Sequence, residues 1–159
     1  MNTLTFDEQV ALLSKDLSGR LPYKVIISYP HTSNTRENAV LTGIDPIRRE
    51  YSVGSKYTRI SGLHIVFRGR ILIKPYLRPM SSMTEEERNE WASGSAKLTL
   101  DIFKKKVSGE MDIPDAFDSA FSIDWLNAHH FDYRGLIPLG LAIDVTTLED
   151  NPYNDEFIY

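Results

Sequence analysis

Two capping boxes bracket a long β-branched stretch, and that order restricts the fold more than any other feature of the chain. The first is TFDE, Thr5 to Glu8; the second is TEEE, Thr84 to Glu87. In each, a threonine can cap the helix start while the glutamate three residues on reaches back to its N–H. After the first box Phe6, Val10, Leu13 and Leu17 recur at helical spacing. The pattern predicts a helix that stops near Gly19 on a left-handed cap, with Pro22 forbidding continuation. The second box opens a helix from Glu85 to about Ala92 that resumes after Ser93-Gly94 through Leu98, Leu100, Ile102 and Phe103. Lys104–Lys106 suit the negative end of that helix better than they suit a nucleic acid.

Between the boxes the residues favour strands. YKVIISY (Tyr23–Tyr29) reads as one strand, Pro30–Asn38 as a loop, and Ala39–Ile44 as a second strand antiparallel to the first. Ile47–Val53 suggests a short third. In Gly62–Lys74 two apolar runs flank Arg68-Gly69, which predicts a hairpin; Pro75 and Pro79 then end the sheet. A helix, several strands, then helices give an α+β domain: a small, mostly antiparallel sheet with helices packed on it.

At 159 residues, 42% hydrophobic and 25% charged, the chain has the makings of one soluble domain, expected over 1–145. Residues 146–159 form an acidic and aromatic tail, expected to be docked. No apolar run approaches the roughly 20 residues of a membrane span. MNTLTFDEQV lacks the basic start and apolar core of a signal peptide, so the expectation is a cytoplasmic protein. With no cysteine, disulfides, thiolate metal sites and cysteine nucleophiles are excluded. Charge is uneven. Residues 51–84 hold six bases and no acid, whereas 107–159 hold eleven acids against the single Arg134. Opposite fields of this kind can compensate within the fold, steer a partner or drive self-association.

The segment Ile123–Asp144 concentrates the chemistry, with two histidines, three carboxylates, one arginine and two glycines in an otherwise apolar run. Val107–Phe121 reads as a loop. Ser122 can then cap a short helix from Ile123 to about His130, Gly135 can end the following turn, and Leu136–Ile143 is a strand or an apolar loop. His129, His130, Asp132 and Asp124 are metal-ligand types. Adjacent helical side chains diverge by about 100°, however, and no HEXXH-like spacing occurs. One imidazole packed on Trp125 or Phe131 and bonded to a helix-end carbonyl is the structural alternative. Asp132 and Arg134 can pair locally, or Arg134 can reach a carboxylate elsewhere in the acidic half.

No GxSxG elbow and no glycine-rich phosphate loop is present, so no catalytic residue and no cofactor is assigned and the balance leans away from an enzyme. Trp125, His129, His130, Phe131, Tyr133 and Arg134 are the expected specifying surface for a protein partner, or its support. A second reading is a nucleic-acid-associated protein using Arg59, Arg68, Arg70, Lys74 and Arg78, with Phe67 and Tyr76 as stacking neighbours, against a sequence pI near 5.5. A third, weaker reading is a metal-dependent hydrolase built on His129, His130 and Asp132.

KPYLRPMSSMTEEE (Lys74–Glu87) and IDWLNAHHFDYRGLIPLGLAIDV (Ile123–Val145) together span about a quarter of the chain. They resemble a family of small uncharacterised proteins of phages and prophages of Bacteroidetes gut bacteria. LSGRLPYKVIISY (Leu17–Tyr29) is similar to that family's opening RLPYGV pattern. The resemblance implies a phage-encoded accessory protein in the host cell and carries no catalytic residues. The longer, acidic tail departs from the family's usual short ending.

Overall fold

A computed structural model describes residues 4–30, 34–45, 47–48, 50–54, 63–66, 73–94 and 117–154. Helix α1, Phe6–Arg20, opens as the sequence predicts: the Glu8 N–H donates to Thr5 Oγ1, and Thr5 N–H donates to Glu8 Oε2 at 2.7 Å. Its end differs. The helix runs through Gly19, Leu21–Tyr23 continue as a 3-10 turn, and the left-handed residue is Lys24 at φ 54°. Pro22 sits early in that turn, where its missing N–H removes no helical bond, so the break moves downstream.

Strands follow as β1 (Ile26–Pro30), β2 (Arg36–Asp45), β3 (Glu50–Gly54), β4 (Leu63–Val66) and β5 (Lys74–Leu77). Helix α2 covers residues 85–94, helix α3 spans Phe117–Ala128, and β6 is the short pair Ile143–Asp144. The sheet order is β4-β3-β2-β1-β5-β6, antiparallel throughout except for the β5–β6 edge. The protein is therefore an α+β fold with a mostly antiparallel sheet. Among the described residues no helix is long and apolar enough to cross a membrane.

The predicted β1–β2 pairing holds, with Ile27 opposite Ala39. The predicted hairpin over Gly62–Lys74 does not. Strand β4 pairs with β3 at one edge, while β5 lies beyond β1 on the far side of β2. Its proposed turn at Arg68-Gly69 lies outside the described residues, as do the resumed helix after Ser93-Gly94 and Lys104–Lys106. Nor does Pro75 end the sheet; it is a β5 residue opposite Ile27. Parallel pairing with β6 begins only at Tyr76, so the proline, which has no N–H, faces no strand on that side.

Alternation sorts the sheet into two faces. Ile27, Tyr29, Ala39, Leu41, Tyr51, Val53 and Leu77 meet Leu13 and Leu17 of α1 in the main core. On the opposite face Ile26, Val40 and Tyr76 are covered by Ile143, Val145 and Tyr153. A third cluster joins Met83, Trp91, Trp125, Leu126, Phe131 and Tyr133.

Helix α3 starts at Phe117, well before the predicted Ser122 cap and inside the stretch read as a loop. Its packing explains two glycines. A Cβ at Gly19 would lie 3.0 Å from Asn127 Nδ2, and one at Gly94 would lie 2.5 Å from Phe121 Cζ.

Candidate functional site

Along α1 the buried stripe reads Leu13, Asp16, Leu17 and Arg20, so a carboxylate and a guanidinium occupy positions that periodicity reserves for apolar side chains. Both are fully buried. Arg20 Nε donates to Asp16 Oδ2 at 2.7 Å and Nη2 to Oδ1 at 3.0 Å, a bidentate pair one helical turn apart. The same Nη2 donates to the Phe131 carbonyl at 2.8 Å. A charge pair so desolvated survives because Nε and Nη2 and both carboxylate oxygens are paired; only Arg20 Nη1 has no hydrogen-bond partner among the described residues. It thereby fixes where residues 125–134 cross α1.

The second anchor is Arg78, just past β5. Its backbone N–H donates to His130 O and its carbonyl accepts from Asp132 N–H, both at 2.8 Å, which carries the sheet edge into the 130–132 segment. Its side chain lies over the Phe131 ring, 4.3 Å from the centroid, and grips Glu87 through Nη1 and Nη2 at 2.7 and 2.9 Å. Glu87 closes the predicted second capping box by accepting from Thr84 N–H at 2.9 Å. The Arg78 bonds, followed by the Thr84 backbone bond, hold the Glu87 carboxyl down at about 2.

Rings complete the arrangement. Trp125 stacks on His129 at 3.8 Å and on Phe131 at 5.8 Å, giving a column that runs Arg78, Phe131, Trp125, His129. The Arg20 and Arg134 guanidinium carbons lie 5.2 and 5.1 Å from the Tyr133 ring centroid. Tyr133 Oη donates to Asn127 Oδ1 at 3.0 Å. Residues 17–29, 74–87 and 123–145 thus meet around Arg20, Arg78 and Phe131.

The two histidines part company. His129 Nδ1 lies 2.8 Å from the Trp125 carbonyl and its ring packs on Trp125, the structural alternative foreseen for one imidazole. His130 takes a left-handed backbone at φ 60° and stacks on Tyr153 at 4.0 Å. Burial, reinforced by Arg20, His129 and Arg78, pushes its imidazole down to about 4. Asp132 accepts from Leu136 N–H and Ile137 N–H, both at 2.8 Å, and pins the turn that contains Gly135 at φ 72°. The local Asp132–Arg134 pair is therefore corrected: the Asp132 carboxylate holds backbone, and Arg134 Nε approaches Asp16 Oδ1 at 3.5 Å, in the N-terminal helix rather than the acidic half. Leu136–Ile143 is a run of turns, with strand only from Ile143.

Of the six predicted surface residues, Trp125 and Phe131 are buried support, while His129, His130, Tyr133 and Arg134 are half-buried. Among the described residues no group of three or more acids or histidines is placed to hold a metal, and we assign no ligand role to His129, His130 or Asp132. Of the basic set, Arg59, Arg68 and Arg70 lie outside the described residues. Lys74 is half-buried in β5, and Arg78 is committed to Glu87 and Phe131. The sequence reading missed Asp16, Arg20 and Asn127. Their signal was polar residues at the stripe positions of α1 and at the inner face of α3. Comparison with family models, with curated proteins and with solved structures finds no match to this chain.

Proposed function

We propose that the protein acts by binding rather than by catalysis, as a phage-encoded accessory protein that engages a host or phage protein in the bacterial cytoplasm. One observation carries the reading: the histidines and the central carboxylate of the 123–145 segment, and the arginine that meets them from the end of β5, already have roles within the fold. His129 is bonded to a helix carbonyl, His130 is stacked on Tyr153, Asp132 is spent on two backbone amides, and Arg78 is held by Glu87. What this leaves at the surface is a rim of His129, Tyr133 and Arg134 over the buried Trp125 and Phe131. Tyrosine and arginine on a rigid base are the residue types that anchor protein interfaces.

The test is co-purification from host lysate, with and without residues 146–159, followed by reconstitution with the purified partner. A stoichiometric complex that Arg134→Ala weakens at least about tenfold, with the variant still fully folded at the assay temperature, supports the rim. Failure to reconstitute any complex with either form contradicts the reading.

A further inference from the structure

Part of the covering of the second sheet face is held by a contact between a histidine and a tyrosine. Tyr153 lies in a 3-10 turn, Pro152–Asn154, folded back over the sheet. Its hydroxyl accepts from Ile26 N–H at 3.2 Å and donates to the Tyr76 carbonyl at 2.8 Å, so it bridges β1 and β5 where their direct pairing stops at Ile27 and Pro75. Burial raises this phenol well above its ordinary value, so it stays a donor at any working pH. Its ring is clamped by His130 at an interplanar angle of 13°.

His130 cannot easily move aside. Its carbonyl is held by Arg78 N–H, and its backbone is in the left-handed region that most side chains avoid. Its Nδ1 is buried without a hydrogen-bond partner among the described residues. The charges acting on the ring are cationic, Arg20 from α1, Arg78 from the end of β5 and His129 beside it, while the 152–154 turn meets it with the Tyr153 ring. The nearby carboxylates Asp16 and Glu87 are bound to Arg20 and Arg78.

We propose that the His130–Tyr153 stack is an acid-released latch, which holds residues 145–154 over the β1–β5 junction while His130 is neutral and lets go when it is protonated. Release frees Ile26 N–H and Tyr76 C=O together and uncovers Ile26, Val40 and Tyr76. The direction follows from linkage. In the latched form the imidazole titrates at about 4; once released into water it returns to about 6.5. The open form binds more protons between those values, so opening is favoured as pH falls below about 6.5 and levels off below about 4. Opening at pH ~5 should exceed that at pH ~7.5 by about 25-fold. This inference does not rest on the binding reading.

The test is amide exchange of Ile26 in the intact protein, followed by NMR and divided by the intrinsic rate at each pH. About a 25-fold rise in opening between pH ~7.5 and ~5, abolished in His130→Asn, supports the latch. Asparagine tolerates the left-handed backbone and does not titrate. A change under about threefold in the wild type, or an equal response in His130→Asn, overturns it. Should that variant not fold, the wild-type His130 ring is titrated instead. A ring midpoint near 4, with Ile26 opening that rises below about 6.5 and levels off near that midpoint, upholds the latch, and a ring midpoint near 6.5 overturns it.

Discussion

The two sides of α1 hold the protein together by different physics. Toward the sheet, Leu13 and Leu17 meet Ile27, Leu41 and Val53 in an aliphatic core whose members need only be apolar and of suitable volume. Toward residues 125–134, Asp16 and Arg20 enter a junction where every contact has a direction: a bidentate ion pair, a guanidinium on a carbonyl, a cation over a ring. The polar side, intolerant of single changes, fixes how the 123–145 segment seats on the rest. The difference teaches that burial alone does not mark this segment as a site or as core; the commitments of its polar groups do.

Single and paired substitutions separate the two regimes. Arg20→Ala strips buried Asp16 of its bidentate partner, leaving only the 3.5 Å approach of Arg134, and should cost about 3–5 kcal/mol. Replacing both partners, Asp16→Leu with Arg20→Met, should recover most of that loss, because an apolar pair of similar volume needs no solvation. Denaturant unfolding reads both, and a double variant as damaged as the single would break the distinction. On the aliphatic side Leu17→Ala should cost about 2–5 kcal/mol and Leu17→Met under about 1.5, since shape rather than direction is being tested.

Arg78→Lys ranks next. It keeps the charge but loses the fork that holds both Glu87 oxygens and the planar face on Phe131, and should cost about 1–3 kcal/mol. The same pair sets an acid response. Glu87, held at about 2 when folded against its ordinary 4.5, adds stability that is complete above about 4.5 and is lost as pH falls toward 2. In Arg78→Lys that part of the acid-unfolding curve should flatten. Smallest is Gly19→Ala. Alanine is the better helix former by about 1 kcal/mol. Yet its methyl would meet Asn127, which is buried and tied to Tyr133, so melting should show no gain or a modest loss.

How far the sequence reads ahead follows the same division. Both capping boxes, the Leu13–Leu17 stripe and the β1–β2 pairing were legible because each depends on spacing within a few residues. The position of β5 was not: two apolar runs around a glycine resemble a hairpin whether or not the chain crosses the sheet between them. The site was half legible. The packing of His129 on Trp125 is local to one helical turn. By contrast, Arg20 reaches a carbonyl 111 residues away, and no local pattern names an acceptor that every residue carries. The partner of Arg134 was sought in the acidic half for the same reason and lies in α1.

The account stands on residues 125–134 being part of the cooperative core rather than a loosely attached surface, and native-state amide exchange tests this most directly. Asp132 N–H, which donates to Arg78 O, should exchange with an opening free energy within about 1 kcal/mol of that of Leu41 N–H, which donates to Val25 O in the sheet. Exchange of Asp132 at an opening cost lower by about 3 kcal/mol or more, with Leu41 still protected, would show that the junction opens alone and would contradict the account.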